Sequence, residues 1–161
     1  TGHVSEVGYN LVASATGPDN MRLISVVIGS GSEAQRAEES KKLLTYGFRF
    51  YQNVTPYKLG AELATQRVWM GDKNEIKLGT DRDISLVIPR NSSGKLKADF
   101  QLKNELDAPI NKGEQVGTIF LKLDGKDVAQ YPLVALEEVN EGSLFSRLWD
   151  YLILLFQRLI G

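Results

Sequence analysis

The chain has 161 residues, a formal net charge of −1, 42% hydrophobic residues and no cysteine. That length holds one ordinary domain or two small ones, and that hydrophobic content supports a packed core rather than a disordered chain. Disulfides, thiolate metal sites and cysteine nucleophiles are excluded, and the single histidine, His3, excludes a zinc site built on histidines. Acidic and basic residues are interspersed without a basic stripe, so no nucleic-acid partner is expected. No metal and no cofactor is expected either.

In chain order, YNLVASA (residues 9–15) reads as a strand, GPDN (17–20) as a turn, and MRLISVVIG (21–29) as a second strand rich in β-branched residues. The two form an antiparallel hairpin. The second run is nearly continuously apolar, which predicts cover on both faces. Ser32 with Gln35 fits the capping-box spacing, and Ser30 with Glu33 competes with it. Ala34, Ala37, Leu44, Phe48 and Tyr51 recur at helical spacing, and Glu38 precedes Lys42 by one turn. An amphipathic helix over 33–51 packed on the hairpin follows, with EESKK on its solvated side.

Helical periodicity ends at NVTPYKLG, and a boundary is expected near 56–60. Short β-like runs follow at 63–69, 74–79, 84–89, 96–102, 115–123, 126–130 and 131–138. Asp124-Gly125 between two of them is a strong hairpin signal. Residues 60–140 therefore read as a small β-sandwich or barrel.

The tail, SLFSRLWDYLILLFQRLIG, is helical in pattern. Ser143, Ser146, Arg147, Asp150, Gln157, Arg158 and Gly161 fall within an arc of roughly 120° on a helical wheel. Leu144, Phe145, Leu148, Trp149, Leu152, Ile153, Leu155, Phe156, Leu159 and Ile160, with Tyr151, cover the remainder. A spanning helix needs about 20 consecutive apolar residues, and Arg147, Asp150 and Arg158 interrupt this one. The pattern fits a helix lying in a membrane interface, and those ten apolar residues are its expected anchor. The competing reading docks the helix on the β-domain.

TGH, GYNLVASAT, MRLISVVIG and RAEESKKLLTYGFRFYQNVTPYK together resemble the D-alanyl-D-alanine carboxypeptidases among the low-molecular-mass penicillin-binding proteins, of the penicillin-binding protein 5 and 6 type. The resemblance continues through TQRVWMGDKNEIKLG, LVIPR, LKADFQL, GEQVGTIFLKLDGK, YPLVALEEVNEG and the tail, and so covers essentially the whole chain. It implies a fold of mixed α/β and all-β class. Residues 1–57 become the last hairpin and helix of a transpeptidase-like (β-lactamase-like) catalytic domain, 60–140 a β-rich stalk, and 143–161 the membrane-surface helix.

The resemblance also implies chemistry. Family enzymes carry a Lys-Thr-Gly triad on the strand edging the active site, and the chain opens at the Thr of that triad. Thr1 is implied to offer its hydroxyl to the substrate's terminal carboxylate, Gly2 to allow close backbone approach, and His3 to supply an oxyanion-hole backbone N–H. Arg36 matches a family arginine near that carboxylate. The Ser-x-x-Lys and Ser-x-Asn motifs and the triad lysine are implied upstream, so these residues by themselves are expected to be inactive. Residues 1–57 are expected to be ordered only where other chain covers the hairpin. The implied partners of the parent enzyme are the peptidoglycan stem peptide and β-lactams, with the membrane surface engaged through the tail. The implied location is the periplasmic face of the bacterial inner membrane. The alternative reading is a non-enzymatic membrane-surface adaptor whose β-domain binds a cell-wall protein.

Overall fold

The structure is a computed structural model that describes residues 1–102, 105–144, 147, 148, 150, 151 and 153. In chain order the elements are β1 (Gly2–Val4), β2 (Gly8–Thr16), β3 (Arg22–Ser30), α1 (Glu33–Phe50), β4 (Tyr51–Tyr57), β5 (Glu62–Trp69), β6 (Glu75–Gly79), β7 (Ile84–Pro89), β8 (Leu96–Leu102), β9 (Leu106–Asp107), β10 (Gln115–Leu123) and β11 (Lys126–Ala135). They divide into two compact units: residues 1–54 with 85–94, and residues 55–84 with 95–161. The segment 85–94 thus belongs with the hairpin and helix, whereas the sequence pattern grouped it with the β-rich stretch. A local pattern shows that a run is a strand and not which partner it finds.

In the first unit, β1, β2 and β3 form an antiparallel sheet in that order. Alternation along β3 divides its side chains. Ser25 and Val27 are buried, while Ile24, Val26 and Ile28 are 63%, 57% and 70% exposed. Val12, opposite Val26, is also exposed at 63%. The expected cover on both faces is therefore seen on one face among the described residues.

Ser32 caps α1, its hydroxyl accepting from the Gln35 N–H at 3.2 Å, while the Gln35 side chain accepts from the Gly31 N–H at 3.1 Å. Ser30 instead donates to Glu39 at 2.8 Å. The inward stripe of α1 is Arg36, Ser40, Leu44, Gly47 and Phe48; the expected Ala34 and Ala37 are exposed. The sheet explains the shift, because it offers Ser25, whose hydroxyl hydrogen-bonds that of Ser40, and Leu23, which fills the space at Gly47. A Cβ on Gly47 would lie 2.4 Å from the Leu23 Cδ1, so a larger residue would require the Leu23 side chain to shift. Arg90 closes this unit, its guanidinium donating to the Phe48 carbonyl at 3.0 and 3.2 Å.

The second unit is built on a sheet ordered β8-β10-β11-β6-β5-β9, antiparallel except for the short β5–β9 pair. Strand β10 is its spine, paired on both sides by β8 and β11. Ile119, Leu121 and Leu133 are fully buried, as are Ile76 and Leu78 on β6. Asp124 and Gly125 adopt φ of 51° and 80°, the left-handed pair that a two-residue hairpin turn requires, and Leu123 faces Lys126 across it. The run 126–130 and the first five residues of 131–138 prove to be one strand, β11, and 136–138 lie beyond its end. Pro132 lies within it, yet it precedes Val134 and Ala135, where β6 joins, and so interrupts no ladder there.

Exposed ion pairs line this unit: Lys77–Glu62 at 2.9 Å, Lys73–Glu137 at 2.7 Å and Lys122–Asp99 at 2.9 Å. Hydrogen bonds from these lysines hold Glu62, Glu137 and Asp99 below their ordinary carboxylate values. A depressed folded value means that the pair's contribution is present above the ordinary value and lost as pH falls through the depressed one. Urea midpoints are therefore expected to fall as pH drops below about 4.5, with added salt weakening the dependence. Truncating the fully buried Ile119 to Ala is expected to cost about 3 kcal/mol, read by urea unfolding at neutral pH.

Candidate functional site

Strand β1 is the outer strand of its sheet, pairing Gly2 with Asn10, His3 with Tyr9 and Val4 with Gly8. Only three residues long and exposed throughout, it buries too little to hold itself in place. Its fixture comes from α1. Arg36 sits one turn inside the helix, is 8% exposed, and sends Nη1 to the Gly2 carbonyl at 3.1 Å and to the Asn10 carbonyl at 3.2 Å. One cationic side chain thus ties together facing residues of β1 and β2. Its charge is balanced by Glu33, 2.8 Å from Nη2. The guanidinium also lies 5.6 Å from the Tyr9 ring, whose other neighbour is the His3 imidazole at 4.2 Å between centroids.

In front of this clamp, Thr1 and Gly2 border an open groove of about 290 Å³. Its floor and far wall are Asn10, Leu11, Val12 and residues 26–28 of β3. A Cβ placed on Gly2 would meet nothing within 4 Å, so the strand can be approached closely there. The Asn10 side chain is itself fixed, accepting from the Gly29 N–H at 3.0 Å.

Of the residues expected to act, Thr1, Gly2, His3 and Arg36 come together here, Gly2 and His3 exposed on β1, Thr1 exposed just ahead of it, and Arg36 bonded to the Gly2 carbonyl. The sequence reading assigned Arg36 to substrate and did not foresee its bonds to Gly2 and Asn10, or Glu33 as its counter-ion. The i,i+3 spacing of Glu33 and Arg36 was the available signal.

A Ser-x-x-Lys spacing, not anticipated in this chain, does occur at Ser92–Lys95. Its groups are engaged elsewhere: the Ser92 hydroxyl donates to the Pro89 carbonyl, and Lys95 pairs with Asp124 at 3.1 Å. Among the described residues no cluster of three or more metal-ligating groups occurs, and no helix is long and apolar enough to cross a membrane.

Of the expected anchor residues, Phe145, Trp149, Leu152, Leu155, Phe156, Leu159 and Ile160 lie outside the described residues. Leu144 and Leu148 are exposed, at 82% and 59%, and Ile153 is half-buried; all three are helical.

A family model described as penicillin-binding protein 5, C-terminal domain, matches residues 51–141. The chain belongs to that family. The C-terminal domain of penicillin-binding protein 5 thus accounts for the six-stranded sheet and its β-sandwich-like fold. The whole chain aligns with D-alanyl-D-alanine carboxypeptidase DacA of Escherichia coli at 49% identity over 162 residues, and with DacC of the same organism at the same identity. It spans 40% of the length of each relative. The crystal structure of penicillin-binding protein 5 from Haemophilus influenzae superposes with a TM-score of 0.78 at 45% identity, covering 87% of this chain and 41% of that one. The chain is a C-terminal portion of a low-molecular-mass penicillin-binding protein, as the motifs implied.

If Arg36 fixes β1, replacing it with Gln removes bonds that a charged donor makes, at a cost of about 2 kcal/mol. Amide exchange at Val4 is expected to accelerate in R36Q while exchange at Ile119 and Leu121 stays unchanged. Equal exchange at Val4 in both proteins would show that β1 does not depend on the guanidinium.

Proposed function

We propose that this chain supplies one wall of the active site, the stalk and the membrane-surface helix of a serine-type D-alanyl-D-alanine carboxypeptidase. The relatives' names give the activity, and the observation that carries the assignment is the Thr1-Gly2-His3 strand at a sheet edge, clamped from behind and open in front. An outer strand can receive an extended peptide as a further strand, with main-chain hydrogen bonds for affinity. The stem peptide's D-Ala-D-Ala end is the substrate, and β-lactams are acylating inhibitors of the same site.

In the reaction, a serine oxygen from outside these residues bonds to the carbonyl carbon of the penultimate D-alanine. The C–N bond breaks, and the terminal D-alanine leaves with a proton on its nitrogen. Water then cleaves the acyl-enzyme ester. Thr1 Oγ1 donates to the substrate carboxylate, Gly2 allows close approach, and the His3 N–H faces the developing oxyanion. Arg36 adds positive charge behind the strand and keeps these donors in register.

Residues 1–57 take the catalytic-domain part, 60–140 the stalk and 143–161 the anchor. The anchor reading rests on the outward Leu144, Leu148 and Tyr151 and on the apolar pattern that continues beyond them. It locates the protein on the periplasmic face of the inner membrane.

Joined to the upstream half of E. coli DacA, the chain is expected to release D-alanine from a D-Ala-D-Ala peptide and to be acylated by a fluorescent penicillin. The 161 residues alone are expected to do neither. In the joined enzyme R36Q is expected to lower kcat/KM by about ten- to a hundredfold. A folded joined protein that penicillin does not acylate would remove the enzymatic reading and leave the adaptor. Flotation with liposomes is expected for the full chain and not for one ending at Gly142; equal flotation would remove the anchor.

A further inference from the structure

The polar arc of the tail contains a residue that the interfacial reading gives to water and the structure gives to protein. Asp150 is 6% exposed. Its Oδ2 accepts from the Met70 backbone N–H at 2.8 Å, and its Oδ1 lies 3.4 Å from Nη2 of Arg67. Arg67 is positioned for this by stacking over the Trp69 ring, 3.8 Å from its centroid.

Met70 is an unusual donor for such a contact. It has φ of 60°, uncommon for a residue with a side chain, so its peptide groups leave the direction of β5. The chain leading to the tail holds them on both sides: Asp150 takes the N–H, and the Gly142 N–H donates to the Met70 carbonyl at 2.8 Å. The neighbouring residues continue the seam. Asn140 and Asp72 exchange backbone and side-chain hydrogen bonds at 2.9 to 3.2 Å, and Arg147 pairs with Glu141 at 2.7 Å.

The consequence is orientation. At 100° per residue Leu144, Leu148 and Tyr151 form one stripe, and Asp150 lies roughly 120° around the helix from it. Ile153, half-buried, lies opposite the stripe. With Asp150 seated, Leu144, Leu148 and Tyr151 are 82%, 59% and 55% exposed. Asp150 thus faces the β-domain while the described apolar stripe faces out, the reverse of a helix docked to complete a core.

We propose that Asp150 is a positioning residue, a latch that seats the tail helix on the β-domain through the strained Met70 peptide and Arg67, and so fixes the apolar stripe outward. That the stripe then meets lipid rests on the anchor reading above. The latch makes stalk and anchor one rigid piece, so the height and tilt of the β-domain over a bilayer follow from where Asp150 binds.

The chain has no cysteine, so two introduced thiols are the only ones to label. Spin labels at Lys112→Cys and Tyr151→Cys are expected to give one narrow distance distribution, both in solution and on phosphatidylcholine vesicles containing phosphatidylglycerol. Adding D150A is expected to broaden it in both settings and to speed exchange of the Met70 amide by about tenfold or more. D150N keeps one acceptor oxygen but loses the ion pair with Arg67, and is expected to fall between. Unchanged exchange at Ile119 and Leu121 checks that each variant is folded. Equal widths and equal Met70 exchange in the parent and D150A overturn the latch. A parent chain that fails to float overturns the lipid reading alone, because the distance and Met70 measurements still decide the latch.

Discussion

Strand register is the constraint on which both units rest. Side chains alternate along a strand, so a slip of one residue exchanges its two faces. In β3 the register chosen puts Ser25 and Val27 under α1 and leaves Ile24, Val26 and Ile28 outside. In β10 it puts Ile119 and Leu121 at zero exposure. Turn chemistry sets that register at Asp124-Gly125, and the Ser25–Ser40 hydroxyl pair makes the other choice costly in the first unit, since a slip would carry Ser25 to the outer face and leave the buried Ser40 hydroxyl without it.

An edge strand proposed to receive substrate has a difficulty that register alone does not solve. It must expose its backbone to substrate, which denies it the burial that would hold it still. Here the short β1 is held by a charge. A guanidinium in a nearly buried position would be costly without partners, and Gly2, Asn10 and Glu33 provide them. The same bonds that satisfy Arg36 therefore position Gly2. This couples helix α1 to the groove and gives the helix a function beyond covering a sheet.

The fold was legible wherever a local rule decides the outcome. The β2–β3 hairpin, the Ser32 cap and the Asp124-Gly125 turn each follow from residues adjacent in sequence. What was not legible depends on partners far along the chain. Segment 85–94 reads as a strand of the β-rich region and joins the first unit. The inward face of α1 was misread because apolar spacing pointed to Ala34 and Ala37, whereas the sheet beneath offers hydroxyls and carbonyls and selects Ser40 and Arg36. The candidate site could be proposed at Thr1-Gly2-His3 only because longer motifs around it resemble a family; three residues at the head of a strand carry little by themselves.

Arg36 and Asp150 fail a helical-wheel reading in the same way. Both are charged, both lie on amphipathic helices, and a wheel assigns each to water. Both are nearly buried, and each uses its charge on main-chain groups: Arg36 on two carbonyls, Asp150 on one N–H. The physical reason is shared. Short or strained backbone near the end of a strand presents polar groups to a neighbouring helix, and a long or ionised side chain can reach them with a stronger bond than a neutral one makes. A charge on the border of a helix's polar arc is thus ambiguous in sequence. What resolves it is whether a backbone polar group lies within reach, a property of the strand end rather than of the helix.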